Sequence, residues 1–212
     1  MKLHYLIIAG ILSYSSISSS QDQLCPNDMV AVNSQVCIDK FEWPNKKGVR
    51  PLVTASAIKE DDDRLYFAAE NLCRSVGKRI CDRKEWVSAC KGPNNSIYPY
   101  GDKPDPEACN TSKYWRPVNK DAVALRDPKA LKYLDQSEPA GSREACMSAS
   151  GAYDMVGNAE EWVKCDKGKF GYCMVGGYWV NKNTPSCKFS VNVHAPNWHF
   201  YEVSTRCCLD IK

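Results

Sequence analysis

The chain has 212 residues, a formal net charge of +3 and twelve cysteines. That length suits one domain with a sizeable core, and charges mixed along the chain exclude a nucleic-acid stripe or a polybasic membrane patch. All twelve cysteines follow residue 24, and in an exported chain an even set is a disulfide framework before it is a metal site.

Residues 1–20 hold one charge, Lys2, an apolar run over Leu6–Leu12 and a serine-rich end at Ser18–Ser20. The run is too short to span a bilayer, so a cleaved signal peptide is expected. The domain is then 21–212, in a secreted or periplasmic protein with no membrane span. Cys25 lacks the small preceding residues of a lipoprotein signal, so no lipid anchor is expected.

Cys25 and Cys37 flank a short strand at Met29–Val32 and are paired around it. Ile38–Glu42 alternates apolar and charged residues up to the Pro44-Asn45 breaker, which predicts a half-buried strand. Lys59–Arg64 reads as a solvated turn whose aspartates favour the positive end of the next helix. That helix places Leu65, Ala68, Ala69, Leu72, Cys73 and Val76 at helical spacing and stops at Gly77. Asp82 and Glu85 form an acidic capping box for a second helix, which carries Trp86, Ala89 and Cys90 inward.

From Gly92 to Gly141 periodicity disappears, which predicts an irregular excursion pinned by Cys109 with Cys146. A helical turn is expected over Ala130–Leu134. Asn94-Asn95-Ser96 and Asn110-Thr111-Ser112 fit the N-glycosylation pattern, but a pattern that short is explained by chance.

The stretch Gly151–Val163 crowds three carboxylates, two glycines and an amide between apolar residues, a poor pattern for a helix or a strand. Calcium takes several oxygen ligands, and a glycine-containing loop turns oxygens toward one point. A structural calcium ion is therefore expected, with Asp154 and Glu161 supplying charge and the carbonyls of Gly157 and Ala159 the rest. Beyond it, Cys165 and Cys173 enclose a hairpin and are expected to pair.

Gly151, Asp154, Gly157, Asn158, Glu161 and Trp162 stand in the order G-x-x-[DN]-x-x-G-N-x-x-E-W. Cys25–Val30, Cys37–Glu42, Gly77–Cys81, Glu85-Trp86, Tyr98–Gly101, Gly176-Gly177 and Thr205–Cys207 fall around it along nearly the whole mature chain. In these residues the sequence resembles the formylglycine-generating enzyme, or sulfatase-modifying factor, family. The resemblance implies an α+β fold related to C-type lectins, loop-rich, with few short strands, two main helices and disulfide staples. It also implies Cys73 with Cys207 and Cys90 with Cys187. Cys81 and Cys208 pair by elimination, a bond between neighbouring Cys207 and Cys208 being the strained alternative. A second calcium ion of the family is left unassigned, because its ligands do not align here.

The enzymes of this family hold copper on two cysteines after a Gly-Gly-Ser segment and oxidise a substrate cysteine to formylglycine. Thiolates suit Cu(I). Here Tyr178 follows Gly176-Gly177, Asn181 takes the first cysteine's place and Ser186 the second's, so copper is not expected. Cys187 is either a displaced copper ligand or the partner of Cys90. A related branch uses three histidines for iron, whereas His194 and His199 flank Pro196 in a loop.

Two functions follow. The first is a non-catalytic module that binds a protein, peptide or glycan through a cleft lined by Trp179, Asn181 and Ser186, with core packing the alternative for Trp179. The second is a copper- and oxygen-dependent oxidoreductase acting on a protein cysteine, which requires a free Cys187.

Overall fold

Two small sheets carry the fold in the computed structural model, which describes residues 24–53, 68–166, 169–180, 185–195 and 200–211. The expected signal, the Lys59–Arg64 turn, Leu65, Asn181 and His199 lie outside the described residues. The first sheet runs β1 (Met29–Ala31), β2 (Val36–Asp39), β8 (Cys207–Asp210), β3 (Arg79–Ile80), all neighbours antiparallel. The second runs β6 (Ser190–Val191), β5 (Tyr172–Val175), β4 (Glu160–Lys164), β7 (Val203–Thr205), and here β4 and β7 are parallel.

The alternating stretch from Ile38 is strand only to Asp39. Asn45 then adopts a left-handed φ of 57°, and its Oδ1 accepts from the Phe41 N–H at 3.0 Å, which bends the chain back. Helix α1 spans Ala68–Ser75, and Gly77 beyond it has the positive φ, 71°, of a helix stop. Helix α2 spans Arg83–Lys91; Glu85 Oε2 accepts from the Asp82 N–H at 2.8 Å, closing the capping box. Trp86, Ala89 and Cys90 on its inner face are essentially inaccessible and join Ile38, Met155, Val156, Val163 and Val175 in the main core. Burial of side chains this large contributes roughly 1.5–3 kcal/mol each.

The irregular excursion contains two short helices. α3 (Lys120–Ala124) is capped by Asn119, which the sequence pattern did not announce. α4 (Pro128–Leu134) starts at an N1 proline and is capped by Asp127, accepting from Lys129 and Ala130. Val123 and Leu134 from these helices meet Ala159, Trp179 and Tyr201 in a separate apolar cluster.

Six disulfides staple these parts: Cys25–Cys37, Cys73–Cys207, Cys81–Cys208, Cys90–Cys187, Cys109–Cys146 and Cys165–Cys173. Neighbouring Cys207 and Cys208 take separate partners because successive side chains of a strand point to opposite faces. No cysteine is left free.

Candidate functional site

The loop that enters β4 is built from backbone conformations few side chains adopt. Asp154, Gly157 and Asn158 have φ of 56°, 76° and 54°. A Cβ on Gly157 would sit 2.4 Å from the Asn110 carbonyl oxygen, so glycine is required there for contact as well as for φ. Asn158 suits its left-handed position and ties the loop to three segments. Its Nδ2 donates to Glu42 Oε2 at 2.7 Å, and its Oδ1 accepts from Asn110 Nδ2 and from the Glu138 N–H.

Glu161, on β4, is 1 % exposed and faces Arg206, which is 0 % exposed. Arg206 Nε and Nη2 donate to Glu161 Oε1 at 3.1 and 2.8 Å, and Trp86 Nε1 donates to Oε2 at 2.6 Å. The rest of the guanidinium donates to the Asp39 and Tyr153 carbonyls. Glu42 is buried beside them; burial, and then repulsion from Asp154 and Glu161, pushes its carboxyl well above the usual range. Burial likewise raises Asp154 to about 6, although its Oδ2 accepts from the Gly141 N–H at 2.7 Å.

These contacts bear on the calcium expectation. Asp154, Gly157, Ala159 and Glu161 do lie on one tight loop, but both Glu161 oxygens are taken by Arg206 and Trp86. The Arg206 guanidinium neutralises that carboxylate and would repel a cation placed beside it. Among the described residues no group of three or more His, Cys, Asp or Glu is arranged to hold a metal. Of the expected donors, Glu161 is thus charge-compensated within the chain. The role of Arg206 as partner of Glu161 was missed, and its signal was a lone charge in the stretch Val203–Leu209.

Cys187, one residue beyond the place that the resemblance gives to the second copper cysteine, is bonded to Cys90. Ser186 is partly exposed, and its Oγ accepts from the Lys188 N–H at 3.3 Å, closing a turn. Neither offers a thiolate, so copper does not fit the residues present. Trp179 is 0 % exposed, packed against Tyr178 and Tyr201, and so belongs to the core instead of a cleft wall. Partly exposed Tyr178, Phe200 and Glu202 form the accessible rim beside it. His194 is partly buried, which lowers its pKa. Asn110, in the second glycosylation pattern, is 2 % exposed and bonded to Asn158, so it is closed to modification.

A family model described as the sulfatase-modifying factor enzyme 1-like domain matches residues 38–204. The chain belongs to this family. Sulfatase-modifying factor domains share their architecture with C-type lectin-like proteins, and the structural comparison agrees. The I1 variant of Major Tropism Determinant superposes with a TM-score of 0.60 at 12 % identity, covering 88 % of this chain and 53 % of that one. Its U1 variant gives 0.55 at 13 % identity with the same 88 % and 53 % coverage. CarF gives 0.49 at 19 % identity over 86 % of this chain and 77 % of that one. The chain thus spans about half the length of the tropism determinants it matches. No curated protein matches it.

Proposed function

We propose that this sulfatase-modifying factor domain is a secreted, non-catalytic binding module that recognises a protein or glycan ligand. The observation that carries this reading is the Cys90–Cys187 bond, because it removes the last sulfur that could serve a copper centre. Six disulfides suit an oxidising compartment, and among the described residues no helix is long and apolar enough to cross a membrane. The C-type lectin-like architecture supports recognition by analogy of fold.

The ligand surface in this reading is the rim at Tyr178, Phe200 and Glu202. Aromatic faces and hydrogen-bonding groups there can hold a peptide or a sugar. The test pairs two assays on the purified chain: conversion of a cysteine-bearing sulfatase peptide with copper and oxygen, and capture on arrays of peptides and glycans. The reading expects no conversion and saturable capture of one ligand class. Conversion of the peptide would overturn it.

A further inference from the structure

Glu160 and Glu202 form a second acidic centre, and among the described residues no cation like Arg206 answers it. Glu160 opens β4, and its N–H donates to the Glu202 carbonyl at 2.9 Å, across the parallel pairing that sets Glu160 opposite Val203. Glu160 is 5 % exposed, yet among the described residues no donor or cation meets its carboxylate, and burial alone pushes it up to about 7. Glu202 Oε2 is buried with no hydrogen-bond partner, and burial followed by repulsion from Glu160 raises that carboxyl to about 8. Ala159, next to Glu160, packs in one cluster with Tyr178 and Tyr201, and Glu202 follows Tyr201 in the chain, so the two acids and the two phenols stem from one place; burial, then Glu202, raises both phenols.

The rest of the wall is aromatic. Tyr178 stands edge-on to Tyr201 at 6.4 Å and to Trp179 at 5.8 Å, and Phe200 lies 4.8 Å from Tyr201. Trp179, fully buried behind them, carries an indole N–H with no partner. Tyr178, Phe200 and Glu202 are partly exposed, so the cluster opens on the surface.

Among the described residues no cation stands beside these acids, and burial favours their protonated form; a bound cation would let them ionise and would itself be neutralised. A divalent metal wants six or more oxygens, which a wall of rings does not supply. An ammonium group on an alkyl chain is satisfied by both parts, because the acids neutralise it and the ring faces attract it and cover its methylenes.

We infer that Glu160, Glu202 and the rings of Tyr178, Tyr201 and Phe200 form a recognition site for an alkylammonium group, specifically a lysine side chain of a protein partner. This deepens the binding-module reading and rests on it.

The test titrates the purified, disulfide-intact chain with Nα-acetyl-lysine amide, with the uncharged analogue Nα-acetyl-norleucine amide, which lacks the ammonium, and with calcium chloride, followed by tryptophan fluorescence and ligand-observed NMR. Saturable binding of the lysine amide and none of the norleucine amide is expected. Glu202→Gln and Tyr178→Phe should each keep a cooperative melt; the first should weaken lysine binding by about tenfold or more, the second only slightly. Equal binding of the norleucine amide, no binding of the lysine amide, or calcium binding that Glu202→Gln abolishes would each overturn the inference. Array capture of a neutral ligand unaffected by Glu202→Gln would remove the lysine site while leaving the binding module standing. Conversion of the sulfatase peptide would remove the module reading itself, whatever the lysine amide does.

Discussion

Arg206 and Glu161 form an ion pair that water does not reach, with side chains 0 % and 1 % exposed and Nη2 2.8 Å from Oε1. Each comes from a different sheet neighbourhood, Arg206 between β7 and β8 and Glu161 within β4, so the pair fastens the two sheets around Trp86.

Removing one partner leaves a buried charge unanswered. Arg206→Met and Glu161→Gln should each destabilise by about 3–5 kcal/mol. Arg206→Lys should rescue little, because an ammonium cannot make the bidentate contact and reach the Asp39 and Tyr153 carbonyls together. Chemical denaturation of the three variants measures this; a loss under about 1 kcal/mol for Arg206→Met would show that the pair does not hold the sheets.

With its cation built in, the signature loop should be indifferent to calcium. Melting temperatures in chelator and in excess calcium are expected to agree within about 1 °C, since no ligand term stabilises the folded state. A calcium-specific rise of several degrees, lost in Asp154→Ala, would restore the ion to the loop.

Glu202 gives stability a pH dependence of defined sign. Its carboxyl is raised from 4.5 to about 8 on folding, so between those values the folded chain holds a proton that the unfolded chain releases. Stability therefore falls as pH rises through that window and levels off above it. Glu202→Gln should flatten this slope, leaving the variant roughly 3–8 °C more stable relative to the parent at pH 8.5 than at pH 4. Parallel melting curves at both pH values would show that Glu202 does not titrate there.

The Cys90–Cys187 bond closes a separation of 97 residues and anchors the segment that follows β5 to helix α2. Replacing both cysteines by alanine should cost about 2–5 kcal/mol, read as a lower denaturant midpoint, without creating copper binding. A copper-binding or unchanged variant would argue against a structural bridge.

Local chemistry made much of this fold readable. The capping box at Asp82 and Glu85 and the stop at Gly77 mark both main helices, because caps and left-handed positions restrict residue type. The strand from Ile38 was overread by alternation, since Asn45 turns the chain back through a side-chain bond to Phe41. At the site, Asp154 and Glu161 stood out as acids in a glycine loop. The side chains that meet Glu161, Trp86 and Arg206, are 75 and 45 residues away in sequence, and only tertiary contact brings the guanidinium to it. The Glu160 and Glu202 pair was invisible for the same reason, as its convergence depends on the parallel register of β4 and β7.

The central claim is that Cys187 is held as a bridge and offers no thiolate. Peptide mapping by mass spectrometry without reduction, with a thiol count on the denatured chain, tests it directly. A Cys90–Cys187 cross-linked peptide and no free thiol are expected; a free Cys187 that binds copper in the purified protein would contradict the claim.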